Sequence, residues 1–288
     1  MSIFVDRQNK VLVQGATGHQ GVFHIGEMKS FGTNVVAGVT PGKAGQEVNG
    51  VPIFNTVQDG VEASGANTSL VLVPARFAKD AVFEALDAGI KTVVTITENI
   101  PFHDAMDFIH YAKYKGALLI GPNCPGIASP GKTKIGILPG SIFKTGDVGV
   151  ASRSGTLTYE IVNSLKEKGI GQSTCVGLGG DPIIGTTFID ALDAFEKDKD
   201  TKAVVLVGEI GGTAEEDAAE YIIEYISKPV FAFIAGRTAP PGKRMGHAGA
   251  IIARGKGTAK SKIEAFERAD VKLARFPTDI ADLVEEFV

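Results

Sequence analysis

The alternation of two kinds of segment is the feature that most constrains the fold of this chain. Short apolar runs rich in β-branched residues, such as "KVLVQG" at 10–15 and "AVVLVGE" at 203–209, recur between stretches with helical spacing, such as 76–89 and 102–116. Strands that are apolar along their whole length and separated by helices form parallel sheets covered on both faces. We therefore predict an α/β fold class.

The length of 288 residues is long for one compact domain and sufficient for two. The alternation is interrupted by residues 121–146, which are rich in glycine and proline and which we interpret as a segment crossing between domains. We predict two doubly wound parallel-sheet domains. Residues 1–125 form a Rossmann-like domain and residues 126–288 a flavodoxin-like domain.

Charge and composition exclude several classes of protein. The formal net charge of −4 argues against a general nucleic-acid or membrane-surface role. No apolar run approaches the roughly 18 residues of a membrane span, and the first residues lack the apolar core of a signal peptide. Cys124 and Cys175 show neither disulfide-framework nor metal-site spacing. These features predict a cytoplasmic protein.

The first glycine-rich loop, "GATGHQG" at 15–21, follows a predicted strand and opens a predicted helix. A helix N-terminus without acidic residues attracts an anion such as phosphate. The second strand ends near Lys43, where NAD-binding folds usually place an acid. A cation there suits a phosphorylated ribose, as in NADP or coenzyme A. The alternatives are a merely tight turn and an ordinary loop lysine.

A second glycine-rich segment, "GIASPGKT" at 126–133, has the spacing of a nucleoside-triphosphate loop. We reject this interpretation because the motif requires a helix to begin at its Lys-Thr pair. The residues that follow are β-branched, interrupted by glycine and stopped by Pro139. Pro130 also removes one backbone N–H that would bind phosphate.

Two further loops follow predicted strands in the second half. In "SRSGT", Ser154 or Thr156 can cap a helix whose first turn lacks acids, and Arg153 adds a positive charge, so we predict a phosphate seat. In "GGTAEE", Thr213 and Glu216 predict a capping box, and Glu215 adds a second acid. That second N-terminus should repel phosphate.

His247 is the one histidine on a loop of small residues after a predicted strand, within "GKRMGHAGA". Its surroundings leave three roles open: a phosphorylated nucleophile, a general base and a structural loop residue. Glu209 ends another strand and is placed to orient the imidazole. The sequence contains no histidine pairing typical of a metal site, so we predict no metal ligands in this chain.

Together the motifs "GPNCPG", "SRSGTLTYE", "GGDP", "GEIGG" and "GKRMGHAGAI" resemble the succinate–CoA ligase α-subunit family from end to end. The resemblance implies that the first domain binds coenzyme A. It also implies phosphorylation of His247 beside Glu209, and a carboxylate-substrate pocket lined by Tyr159. The implied coenzyme A contacts are Thr17, Gly18, His19, Gln20, Lys43, Ile96, Thr97 and Glu98, and the implied phosphate seat is Ser154, Gly155 and Thr156.

The resemblance implies a reversible ligase that passes a phosphoryl group from ATP or GTP to histidine, then to succinate, before the thiol of coenzyme A takes the succinyl group. Such an enzyme acts in the citric acid cycle. The chain lacks a credible triphosphate loop and an acidic Mg²⁺ cluster. We therefore expect nucleotide and Mg²⁺ on a β subunit, in an αβ or (αβ)₂ assembly.

Several questions stay open at the level of sequence. Malate or another dicarboxylate could replace succinate, as in the related malate–CoA ligases, and the choice of ATP or GTP belongs to the other subunit. Arg254 stands where the family resemblance leads us to expect a small residue. Two other classes remain alternatives: an NADP-dependent oxidoreductase and a non-catalytic acyl-CoA-binding regulator.

Overall fold

A computed structural model describes residues 2–240, 242–253 and 255–287, so Arg254 lies outside the described residues. The chain divides into two compact units. The N-terminal unit contains Val5–Gly140 and Ile183–Gly185. The C-terminal unit contains Ser141–Pro182 and the described residues from Thr186 onward, together with the first residues up to Phe4.

The N-terminal unit follows the predicted alternation, and its first helix ends where Gly32 takes up a φ of 98°, which favours glycine. Its elements in chain order are β1 (Val11–Gln14), α1 (His19–Phe31), β2 (Val35–Val39), β3 (Glu47–Val48), β4 (Val51–Phe54), α2 (Val57–Ser64), β5 (Thr68–Val71), α3 (Ala75–Asp87), β6 (Thr92–Thr95), α4 (Phe102–Tyr114), β7 (Leu118–Ile120), β8 (Gly126–Ser129) and β9 (Thr133–Gly136).

The main sheet of this unit has the order β3-β4-β2-β1-β5-β6-β7 and is parallel except for the short pair β3–β4. After β1 the chain adds β2, β3 and β4 on one side of this strand, and then β5, β6 and β7 on the other side. This is the doubly wound arrangement predicted from the sequence. Its switch point lies between β1 and β5, where ligands bind at the carboxyl ends of the strands.

The C-terminal unit contains a second parallel sheet. Its elements in chain order are β10 (Thr145–Ser152), α5 (Gly155–Glu167), β11 (Gln172–Gly177), α6 (Phe188–Lys197), β12 (Ala203–Glu209), α7 (Ala214–Tyr225), β13 (Val230–Ala235), α8 (Ala259–Arg268), β14 (Lys272–Ala274) and α9 (Asp279–Glu285). The strand order β14-β13-β12-β10-β11 is the flavodoxin-like order, which confirms that prediction. Its switch point lies between β10 and β12.

The segment 121–146, predicted as a crossing between domains, is more ordered than expected. Strands β8 and β9 pair as an antiparallel hairpin, so no helix follows the Lys-Thr pair of the rejected triphosphate motif. The Thr33 hydroxyl donates to the Lys134 carbonyl at 2.7 Å, which ties this hairpin to the end of α1. The compact units divide at Gly140, after this hairpin.

Within the described residues, no helix combines the length and apolar character needed to cross a lipid bilayer.

Candidate active site

The N-terminal unit carries a cavity of about 540 Å³ at the carboxyl ends of β1, β2 and β5. Thr17 and Gly18, both predicted to contact coenzyme A, belong to its wall. The complete lining is Gln14, Gly15, Thr17, Gly18, Val39, Thr40, Pro41, Leu72, Val73, Pro74, Phe77, Asp80, Ala81 and Glu84. The cavity therefore lies at the switch point of the sheet, where a doubly wound fold places its ligand.

The glycine loop at 15–21 lets backbone segments approach one another closely beside this cavity. Gly15 has a φ of 82°, and a Cβ there would lie 3.0 Å from the Leu72 carbonyl oxygen. A Cβ on Gly21 would lie 2.3 Å from the Gly15 carbonyl oxygen, so α1 can begin this close to β1 only with glycine. No acidic residue occupies the first turn of α1. An open helix N-terminus beside apolar walls suits a ligand that carries both phosphates and long uncharged parts.

The other predicted coenzyme A contacts, all within the described chain, do not line this cavity. His19 and Gln20 lie exposed in the first turn of α1, and Lys43 lies exposed on the turn after β2. Ile96, Thr97 and Glu98 follow β6, where the Thr97 hydroxyl donates to the Val73 carbonyl at 2.8 Å. Thr97 thus contacts the backbone of a residue that does line the cavity.

In the C-terminal unit, His247 contacts Glu209 directly. Its Nδ1 lies 2.9 Å from Oε2 and 3.1 Å from Oε1 of the carboxylate. Glu209 is buried at the end of β12, and the imidazole keeps 26% of its side-chain surface exposed. A carboxylate on Nδ1 orients the ring and favours protonation at that nitrogen, which directs reactivity to Nε2 on the opposite side of the ring.

The His247 ring also packs on Gly180, in the loop after β11. A Cβ on Gly180 would lie 2.3 Å from Cγ and 2.5 Å from Nδ1 of the ring, so only a glycine leaves room for the imidazole. The Gly249 N–H donates to the Gly180 carbonyl at 3.0 Å, which holds the histidine loop against the same residue. The ring is therefore fixed by Gly180 and by Glu209.

Arg153 lies buried behind Glu209. Its Nη2 is 3.5 Å from Glu209 Oε1, and its Nη1 forms a shorter ion pair of 2.9 Å with Glu215 Oε1. Burial acts to lower the pKa of the guanidinium, but the charges of Glu215 and Glu209 outweigh it and raise that pKa. We predicted Arg153 beside a phosphate seat. In the structure its guanidinium pairs with the carboxylates of Glu209 and Glu215.

The predicted capping box at Thr213 is wrong. The Thr213 hydroxyl donates to the Asp217 carboxylate at 3.1 Å instead of capping α7. The Glu216 carboxylate is 2.9 Å from Lys262 Nζ, and the Glu215 carboxylate contacts the same ammonium group. The two acids face buried cations because α8 places Lys262 against the first turn of α7.

The predicted phosphate seat lies at the N-terminus of α5. The Ser154 hydroxyl caps the helix by accepting the Leu157 N–H at 3.3 Å, and the first turn carries no acid. The N–H groups of Gly155 and Thr156 belong to the first turn, where amides have no acceptor within the helix. Tyr159 lies half-buried one turn further along. This helix begins directly after β10. Strand β10 pairs with β12, the strand that ends in Glu209.

Sequence reasoning did not assign three residues to this site: Gly180, which packs on His247, and Glu215 and Lys262, which lie behind Glu209. For Lys262 a signal existed. It falls at helical spacing with Ala259, Ala265 and Phe266, the buried stripe of α8. A lysine within an apolar stripe indicates a buried anionic partner, because an unpaired ammonium group is costly to bury.

Comparisons with known proteins agree with both units. Residues 6–99 match the family described as CoA binding domain, and residues 151–272 match the family described as CoA-ligase. The structure of ATP citrate lyase from Methanothrix soehngenii, in complex with citrate and coenzyme A, superposes with a TM-score of 0.91 at 25% identity. That match covers 99% of this chain and 50% of the lyase, so the chain spans half the lyase's length.

Two relatives align over the whole chain. Subunit alpha 2 of the ADP-forming succinate–CoA ligase of Archaeoglobus fulgidus is 59% identical over 288 residues and is covered completely. The alpha subunit of the ADP-forming succinate–CoA ligase of Aquifex aeolicus is 57% identical, with 100% of this chain and 95% of the relative covered. This similarity extends from the CoA-binding domain through the histidine loop, and the chain therefore belongs to the succinate–CoA ligase α-subunit family of acid–thiol ligases.

Proposed function

We propose that this chain, together with a β subunit, converts succinate, coenzyme A and a nucleoside triphosphate reversibly into succinyl-CoA, nucleoside diphosphate and phosphate. The observation that carries the proposal is the contact of His247 Nδ1 with the buried Glu209 carboxylate at 2.9 Å. This contact orients Nε2 as the nucleophile. The names of the relatives favour ATP as the nucleotide.

In the first step, Nε2 of His247 attacks the γ-phosphorus of the nucleotide. The bond from that phosphorus to the bridging oxygen breaks as the P–N bond forms, and nucleoside diphosphate leaves. Glu209 stabilises the positive charge that develops on the ring. Phosphoryl transfer depends mainly on positioning and charge stabilisation, and the open N-terminus of α5 at Ser154, Gly155 and Thr156 supplies donors for the phosphoryl oxygens.

In the second step, a carboxylate oxygen of succinate attacks the phosphorus. The P–N bond breaks, its electron pair returns to Nε2 and succinyl phosphate forms. We assign Tyr159 to the succinate pocket. The thiol of coenzyme A then attacks the acyl carbon of succinyl phosphate. The thioester bond forms as the bond from that carbon to the phosphate oxygen breaks, and phosphate leaves with the thiol proton. Thr17 and Gly18 would hold the phosphates of coenzyme A at the N-terminus of α1, with His19, Gln20, Lys43, Ile96, Thr97 and Glu98 as further contacts.

Nucleotide and Mg²⁺ belong to the β subunit in this proposal. The segment with triphosphate-loop spacing forms the hairpin β8–β9. In the described part of the chain, no three histidine, cysteine or acidic side chains converge in a way that could hold a metal ion. We propose a cytoplasmic αβ or (αβ)₂ enzyme, with residues 1–125 as the CoA-binding domain and residues 126–288 as the ligase domain.

The test is to purify the chain with its β subunit and expose the complex to γ-labelled nucleotide and Mg²⁺. We expect acid-labile, alkali-stable label on His247 that is released by succinate with coenzyme A. His247→Asn should abolish labelling, and the matched control His110→Asn, at an exposed position of α4, should not. An active complex labelled at another residue would contradict the proposal. Saturable binding of NADPH without binding of desulfo-coenzyme A would favour the oxidoreductase.

A further inference from the structure

Five charged side chains form a continuous cluster behind His247, here called the buried charge chain: Arg153, Glu209, Glu215, Glu216 and Lys262. The side chains of Glu215 and Lys262 are 0% exposed, and those of Arg153 and Glu209 are 6% and 7% exposed. Such burial is costly unless every group finds a partner. None of these residues except Glu209 contacts the imidazole in the proposed mechanism.

Glu215 connects the cluster to the backbone of Glu209. Its Oε1 accepts both the Arg153 Nη1–H at 2.9 Å and the Glu209 N–H at 3.0 Å. The Arg153 Nη1–H also points to the Glu209 carbonyl at 3.4 Å. The backbone and the carboxylate of Glu209 are therefore both held through Glu215 and Arg153.

Lys262 holds the other side of Glu215. Its ammonium group contacts Glu215 Oε2, lies 2.9 Å from Glu216 Oε2 and donates to the Gly212 carbonyl at 3.1 Å. With Lys262 in place, Glu215 is shared between two cations. Without Lys262, Arg153 would be the remaining cation of the cluster that pairs with Glu215. Glu215 would then compete with Glu209 for the guanidinium.

We propose that Lys262 and Glu215 are positioning residues that set the placement of Glu209 and the electrostatic field around it, and through it the reactivity of His247. This inference rests on the proposed phosphorylation of His247. The buried charge chain contains three carboxylates and two cations, which gives this cluster a net charge of −1. Replacing Lys262 by a neutral residue changes the net charge to −2, and replacing Glu215 by a neutral residue changes it to zero.

The two changes should displace the pH dependence of His247 in opposite directions. Added negative charge favours the imidazolium. Lys262→Met should therefore move the midpoint of the acid limb, in a plot of phosphorylation rate against pH, to higher pH. Glu215→Gln removes negative charge and leaves Arg153 to Glu209, so the midpoint should move to lower pH. For groups beyond direct contact we expect shifts of a few tenths to about one pH unit.

Other charges near the histidine loop are the same in every variant. Lys243 and Arg244 precede His247 on its own loop, and Asp181 follows Gly180. Their effects cancel when variants are compared with the wild type. The matched control is Lys260→Met, the same substitution on α8, at a lysine that is 85% exposed and pairs only loosely with Glu264 at 3.7 Å.

The experiment measures single-turnover phosphorylation of the αβ complex between pH 5.5 and 8.5. We expect at least a tenfold lower rate for Lys262→Met and Glu215→Gln, opposite displacements of their acid limbs, and wild-type behaviour for Lys260→Met. Unchanged profiles in folded Lys262→Met and Glu215→Gln variants would overturn the proposal. Displacements in the same direction would do so as well, because a merely structural defect does not depend on the sign of the charge removed.

A second measurement separates this inference from the proposed function. The ¹⁵N-labelled imidazole of His247, assigned with His247→Asn, is titrated by NMR in the isolated chain, without nucleotide. Opposite displacements of the titration would support the charge chain even if His247 is never phosphorylated. If Lys262→Met does not fold, the double variant Glu215→Gln with Lys262→Met, whose net charge of −1 matches the wild type, should titrate near the wild-type midpoint. A midpoint displaced as far as in Glu215→Gln would overturn the proposal.

Discussion

Substitution of Gly180 by alanine gives the most direct test of how His247 is positioned. The added methyl group would lie 2.3 Å from His247 Cγ, 2.5 Å from Nδ1 and 2.7 Å from Cδ2, whereas an ordinary contact is at least 3.4 Å. The ring must therefore retreat by about 1 Å, the difference between 3.4 and 2.3 Å. Gly180 does not need a left-handed backbone, so the strain falls on the contact with the imidazole.

A displacement of this size removes the orientation of the nucleophile. The distances from Nδ1 to the Glu209 oxygens are 2.9 and 3.1 Å, and a shift of about 1 Å takes the ring out of hydrogen-bonding geometry. Misplacement of a reacting group by about 1 Å costs on the order of 10²-fold in rate. We therefore expect Gly180→Ala to lower the phosphorylation rate about a hundredfold. Overpacking at a loop should cost only about 1 kcal/mol of stability.

The assay is rapid-quench phosphorylation of the αβ complex with labelled nucleotide, with binding of coenzyme A measured by calorimetry as a check on the N-terminal unit. The matched control is Gly26→Ala within α1, where the added methyl group meets only the flexible side chain of Asn49 at 3.3 Å. We expect this control to phosphorylate normally. A Gly180→Ala enzyme with the wild-type rate would refute the reasoning that Gly180 positions the ring.

Three further predictions concern single side chains. Glu209→Gln removes the carboxylate charge beside His247 but keeps its size, and we expect phosphorylation to slow by about 10- to 100-fold, as measured in the same assay; an unchanged rate would exclude Glu209 as the orienting group. Burial, reinforced by the charge of Lys134, lowers the pKa of His24 below its usual 6.5. The unfolded chain therefore binds the proton more readily, and stability should fall as the pH drops below about 6.5; urea midpoints at pH 7.5 and 5.5 should differ more in the wild type than in His24→Gln, and equal differences would contradict this. Complete burial raises the pKa of the Cys175 thiol, so iodoacetamide at pH 8 should alkylate it only after unfolding in urea, as mapped by mass spectrometry, and rapid labelling of Cys175 in the native chain would disprove its burial.

Much of the fold follows from the sequence because its signals are local. The period of apolar residues and the glycine-rich breaks predict β1 and β12 within a residue or two of their observed bounds. The elements β3, β4 and α2 were not predicted. They are short, and a two-residue strand such as Glu47–Val48 has no period to detect.

The placement of the histidine beside a carboxylate was also predictable, since both residues follow strands of one parallel sheet. Carboxyl ends of parallel strands meet at the same edge, so Glu209 at the end of β12 and the loop after β13 were expected to converge. The measured 2.9 Å between His247 and Glu209 agrees with that expectation. The catalytic roles of these two residues stay predictions until phosphorylation is measured.

The sequence by itself determined the periodicity, the glycine loops and the open first turns of α1 and α5, because these depend on residues that are neighbours in the chain. Only the tertiary structure decided that Glu215 faces Arg153 and Lys262, and that Glu216 pairs with Lys262 instead of completing a capping box on α7. The same holds for the packing of Gly180 under the imidazole and for the hairpin β8–β9. The physical reason is that a buried ion pair or a close contact depends on which segments, distant in sequence, pack together. A local sequence pattern does not specify those partners.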